Sequence, residues 1–156
     1  MTGAKVLRYR PPMTNIEITW VGIIVSFIAV FALNMTYFSP NVMYNRWTRA
    51  LGRPAPEPGA QPGTGMAPAF TLVTIGLFLQ CFLMDWVIQA TAALYGQDVS
   101  FLSGLFTGAV VGIGIAAAAS LGHRVFSGQG VKVWAIEVGA DVIGLALMGA
   151  IFSFWH

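Results

Sequence analysis

Apolar residues in this chain come in four long runs separated by short polar or glycine-rich stretches, rather than alternating along its length. The runs cover about residues 15–38, 69–94, 101–121 and 131–155, each near the roughly 20 residues a helix needs to cross a bilayer. The pattern predicts an all-α membrane protein. Short connections make neighbouring spans antiparallel, so the expected architecture is an antiparallel four-transmembrane-helix bundle, one integral domain over residues 1–156. Pro11-Pro12 ends a polar tail, and Thr14-Asn15-Ile16-Glu17 has the form of a capping box for the first helix. Residues 52–68 are rich in proline and glycine and read as a loop. Gly96-Gln97-Asp98 predicts a tight turn with Asp98 or Ser100 as the next cap, and Gly122 predicts the end of the third helix.

Small residues recur at every fourth position of the third run: Gly104, Gly108, Gly112, Ala116 and Ser120. Such a face lets another helix backbone come close, which matters in lipid because the hydrophobic drive between helices is lost there. The pattern leaves open whether the partner lies in this chain or in a second copy.

Composition agrees with the pattern. Of 156 residues 56% are hydrophobic and 9% charged, far from the roughly 25% charged of a soluble domain, and the mean hydropathy is +0.72. The net charge of +2 arises in tails and loops, so it speaks against a nucleic-acid surface. Arg46, Arg49, Arg53, Arg124 and Lys132 fall on the side of the 39–68 and 122–130 loops, against Lys5, Arg8 and Arg10 on the other. This excess predicts that those loops are cytoplasmic. Cys81 is the single cysteine, so no intrachain disulfide forms.

Three of the six acids interrupt the apolar runs. Glu137 and Asp141, four apart, project from one face of the fourth helix. Cys81, Asp85 and Gln89 form a polar stripe on the second, and Asn34 lies near the end of the first. Charged groups at such depth are costly and face a bundle interior or a wet cavity. No arginine or lysine sits in mid-membrane, and Arg46, Arg124 and Lys132 reach Glu137 only by snorkelling from the loop side. At least one of Asp85 and Asp141 is therefore expected to hold a proton or a cation. On a rise of ~1.5 Å per residue the two differ by about 7 Å in depth, near enough to share a cavity. The candidate ion- or proton-binding residues are thus Asp85, Glu137, Asp141, Asn34 and Gln89. The Cys81–Gln89 stripe reads first as a hydrogen-bonded seam between helices and second as part of a ligand or ion path.

The end of the first run carries the most distinctive stretch, Tyr37-Phe38-Ser39-Pro40 followed by Met43, Tyr44 and Trp47. It resembles the DUF1761 family of small bacterial membrane proteins of unknown function, whose first span ends in a pattern like Trp-Tyr-Ser-Pro-x-x-Phe-Gly-x-x-Trp. Ser39, Pro40 and Trp47 match strictly, while Tyr44 stands where the family has a small residue. The resemblance implies a four-span layout and brings no catalytic residue. Ser39, Pro40, Tyr44 and Trp47 are expected to form an interface motif, with the chain turning at Pro40 and the aromatic rings at headgroup level.

Nothing in the chain asks for a cofactor or a metal. His123 has no second ligand at metal spacing, and Gly112-x-Gly114 lies in mid-span without the preceding strand a dinucleotide fingerprint requires. No nucleophile–base arrangement supports an enzyme. Two functions remain: a membrane protein binding a proton or small cation at intramembrane carboxylates for transport or permeation, or a non-catalytic accessory or structural subunit of a larger membrane complex. The expected partners are the lipid bilayer and either a second copy or a larger assembly, and no nucleic acid.

Overall fold

Without water to satisfy backbone amides, an apolar run in a bilayer folds as a helix. The computed structural model describes residues 17–54, 66–95 and 98–156. Within them the runs form α1 (Trp20–Tyr37), a π-helical turn (Pro40–Tyr44) leading into the short α2 (Asn45–Ala50), α3 (Met66–Tyr95), α4 (Phe101–Val111), α5 (Ala118–Phe126) and α6 (Gly130–Phe152). A second π-helical turn, Gly112–Ala117, joins α4 to α5, so Phe101–Phe126 is one continuous span. Four helices are thus long and apolar enough to cross a membrane. Most of the proline-rich loop and the turn at Gly96-Gln97 lie outside the described residues.

α6 is the central element: it packs against α1, α3, α4 and α5. Its closest neighbour is α4. A Cβ on Gly104 would collide with the Gly149 carbonyl, and one on Gly108 with the Leu145 carbonyl. At Gly112 it would meet the Val142 backbone at 2.9 Å. The predicted small-residue face is therefore used inside the chain. The π turn adds one residue to the register, so below Gly112 the buried small residue is Ala117, while Ala116 and Ser120 sit half-buried beside the contact. Trp134 of α6 donates its indole N–H to the Ala117 carbonyl at 3.0 Å, filling the wider turn.

The core lies toward the end where α1 begins and α6 ends. Ile23, Val30, Leu77, Cys81, Met84, Ile88, Met148 and Phe152 cluster there. Before Leu77, α3 buries no side chain.

Three predicted boundaries move. Thr14 to Ile16 lie outside the described residues, but Glu17 to Thr19 are not helical and α1 begins at Trp20, so Glu17 caps nothing in its first turn. The third span passes through Gly122, which has open space around it, and stops at Ser127-Gly128, where Gly128 supplies the left-handed φ of +76°. His123 and Arg124 thereby belong to a last helical turn rather than a loop. α3 starts three residues earlier than the pattern indicated, at Met66. Ser100, not Asp98, caps α4, accepting from the Ser103 N–H at 3.2 Å.

The α4–α6 contact makes a direct prediction. Gly108→Ala pushes a methyl into a backbone carbonyl that has no rotamer to escape by, and should cost about 1–3 kcal/mol. Gly114→Ala, with nothing within 4 Å, should change stability by less than about 1 kcal/mol. Unfolding in mixed detergent micelles measures both; equal losses would rule out the close approach.

Candidate functional site

The spans bring polar side chains together at both ends of the bundle and leave one acid between them. At the end where α1 begins, Asp85 of α3 is 2% exposed. Its Oδ2 accepts from the Thr19 backbone N–H at 2.9 Å, and its Oδ1 lies 2.8 Å from His156 Nε2. The same ring nitrogen is 3.0 Å from Thr19 Oγ1. The carboxylate thus supplies from another helix the acceptor that the start of α1 lacks locally, at the end of the helix where negative charge is favoured. Next to it the Gln89 amide donates to the Glu17 carbonyl at 2.8 Å, and Val99 N–H donates to the His156 carbonyl at 2.9 Å. Asp85 and Gln89 of the stripe therefore form a hydrogen-bonded seam between α3 and the segment entering α1, while Cys81 packs into the apolar core. Glu17, Thr19, Gln89, Trp155 and His156 border an open cavity of about 430 Å³ at this end.

Asp85 thus has a partner that can carry positive charge, His156, which lies beyond the end of the fourth span. It also lies level with Thr19 and His156, whereas Asp141 is about 16 Å from Phe152 along α6. The two acids do not share a cavity; the longer α3 carries Asp85 to the opposite end.

At the loop end Glu137 of α6 is the hub. Its Oε2 pairs with Arg124 Nε at 2.6 Å and its Oε1 accepts from the Trp47 indole N–H at 2.9 Å. Arg124 is held in turn by the Gln129 side chain at 2.9 Å. Beside Glu137 the Tyr37 hydroxyl donates to the carbonyl of the preceding residue, Ile136, at 3.0 Å, with Gly139 leaving room for the ring. Of the three cations able to snorkel, Arg124 makes the contact, because the extra turn of α5 carries it over α6. The interface motif takes part as well. Ser39 is extended ahead of Pro40, and the ring of Trp47 packs edge-on against Phe38 and tilted against Tyr44, with centroids 6.2 and 6.0 Å apart. This packing aims the indole at Glu137.

Asp141 stands alone. It sits one turn below Glu137 on the face of α6 that also carries Met148 and Phe152. Those two are fully buried, yet Asp141 is exposed. On the neighbouring α3, burial likewise begins only at Leu77. Asn34, half-buried, is on the α1 face of Ile23 and Val30. Val30 touches Gly144, and both Asn34 and Asp141 lie about one turn from that contact toward the loop end. The two therefore share a level. The charged neighbours of Asp141 are Glu137 and Arg124. Among the described residues it makes no ion pair, and no group of three or more His, Cys, Asp or Glu forms.

The DUF1761 family, described as a protein of unknown function, matches the chain over residues 21–153. No curated protein and no solved structure matches it.

The Asp85 cluster should matter first for stability. Asp85→Ala strips the Thr19 amide and His156 of their acceptor and should cost about 3 kcal/mol, the lower end for a broken buried pair. Asp85→Asn keeps an oxygen for the Thr19 N–H and should cost less. A double-mutant cycle of Asp85→Asn with His156→Gln should show a coupling of about 1 kcal/mol or more; additive losses would mean that the two side chains do not interact.

Proposed function

The chain belongs to the DUF1761 family, and from that premise we propose that it is a membrane protein which binds and releases a proton at Asp141, as part of transport or permeation. The observation that carries this reading is the exposed carboxylate of Asp141 about half-way along a membrane-spanning helix, without an ion-pair partner among the described residues. An unpaired charge at such depth costs roughly 2.5–3.5 kcal/mol, so a bound proton is the simplest way to neutralise it. A hard metal ion needs six or more oxygen ligands, while a proton needs one carboxylate. Asn34 at the same level would hydrogen-bond the carboxyl in either form. Glu137, tied to Arg124, would place a fixed acid one turn away toward the loop side. Asp85 and Gln89 would then serve the far end, where the imidazole of His156 offers a second protonatable group beside an open cavity. With five basic residues on the loop side, the loops would lie in the cytoplasm of a bacterial cell.

One observation favours an accessory or structural subunit instead. The first part of α3 is apolar but buries no side chain, as a helix awaiting a neighbour would. The glycine face lends that reading no support, because α6 already covers it.

Infrared spectroscopy of the carboxyl groups in lipid tests the proposal. Between about pH 4 and about pH 10 the wild type should show a carboxyl band that titrates. Asp141→Asn should abolish it and Glu137→Gln should shift it, while sodium should leave it unchanged. A band that persists in Asp141→Asn would assign the proton elsewhere. Absence of any titrating band, together with stoichiometric co-purification of other chains in mild detergent, would move the assignment to the accessory role.

A further inference from the structure

α2 has two unlike faces. Trp47 and the 4% exposed Thr48 turn inward, whereas Arg46 and Arg49 are exposed. Because Trp47 is bonded to Glu137, α2 is held against the first turns of α6, and an open cavity of about 470 Å³ forms between them. Arg46, Arg49 and Lys132 supply its cations, and Ala50, Ala135 and Ile136 supply an apolar floor. The Arg49 Nε donates to the Asn45 carbonyl at 2.9 Å, which fixes the guanidinium and leaves its terminal N–H groups to donate elsewhere. Among the described residues no acid lies within ion-pair distance of any of the three.

We infer that this cavity is a binding site for the phosphate of an anionic membrane lipid. Three positive groups converge where nothing described offsets them, and arginine forks match phosphate oxygens in pairs. The depth fits as well. Lys132 is the third residue of the fourth span, and Tyr44 and Trp47 are rings of the kind that settle at headgroup level. The floor distinguishes a lipid from a free anion, because the apolar surface of Ala50, Ala135 and Ile136 continues from the headgroup toward the acyl chains. Since Trp47 reaches Glu137 from the same short helix, an occupied site would hold α2 in the position that completes the Glu137 cluster.

The test is lipid retention by the delipidated full-length protein, read by native mass spectrometry with phosphatidylglycerol or phosphatidylcholine added back in detergent. The wild type should retain phosphatidylglycerol in preference. Arg46→Gln and Lys132→Gln should each weaken retention about fivefold, following the roughly 1 kcal/mol per basic group near an anionic surface. Arg53→Gln removes the same charge from the same side, outside the cavity, and should leave retention unchanged. An equal loss in Arg53→Gln would reduce the effect to general surface charge and overturn the site. Equal retention of the two lipids would do the same. Displacement of phosphatidylglycerol by inorganic phosphate or glycerol phosphate would identify a soluble phosphate compound as the ligand and overturn the lipid assignment. Tryptophan fluorescence of each variant, unchanged from wild type, verifies that the fold is retained.

Discussion

The approach of α4 to α6 through glycine is the contact on which the rest depends. With carbonyls of one helix lying where a Cβ of the other would be, the two backbones come as close as helices can, and dispersion rather than water exclusion holds them together. That contact fixes the height of α6. Once its height is set, Gly144 meets Val30, Gly22 meets Phe152 and Gly139 meets the Tyr37 hydroxyl, so α1 is placed by two notches in α6 and one of its own. The polar clusters follow from the same register. Glu137 arrives under Arg124 and beside Trp47, and His156 arrives beside Thr19 and Asp85.

A bilayer makes the treatment of these polar groups informative. Both ends are closed by side chains that satisfy one another across three helices: Asp85 with Thr19 and His156, and Glu137 with Arg124 and Trp47. Each satisfied group lowers the cost of taking polar atoms out of water. Against that pattern Asp141 is an exception, as is the fully buried Ser26 hydroxyl, which has no hydrogen-bond partner among the described residues. A carboxylate left unpaired at mid-depth in a bilayer points to function more strongly than the same residue would in a soluble protein, where water would reach it.

The four spans were legible because hydropathy and length alone dictate them, and the use of the glycine face was legible because its spacing is that of a helix. What the pattern could not contain was a one-residue change in register. The π turn at Gly112–Ala117 replaces Ala116 by Ala117 at the contact, and no residue type announces such a turn. Gly122 misled for a related reason: a glycine marks a helix end only where a left-handed residue is needed, and Gly128 already fills that role. At the site, Asp85, Glu137 and Asp141 were visible as acids in apolar sequence, but their partners were not. His156 and Thr19 belong to the far ends of two other spans, and only the register of the assembled bundle reveals that these ends meet beside Asp85.

Glu137 connects the two chemistries argued above. It is one turn from Asp141 on α6, and it is also the acceptor that holds α2, and with α2 the cationic cavity, in place. A shift of α2 would withdraw the Trp47 donor from Glu137 and leave Arg124 as its sole partner, changing the charge that Asp141 faces one turn below. The link runs through a single hydrogen bond of 2.9 Å, and α6 at one end of it is held by its close backbone contact with α4. Trp47, the strictly matching aromatic of the family pattern, is the residue that joins the two.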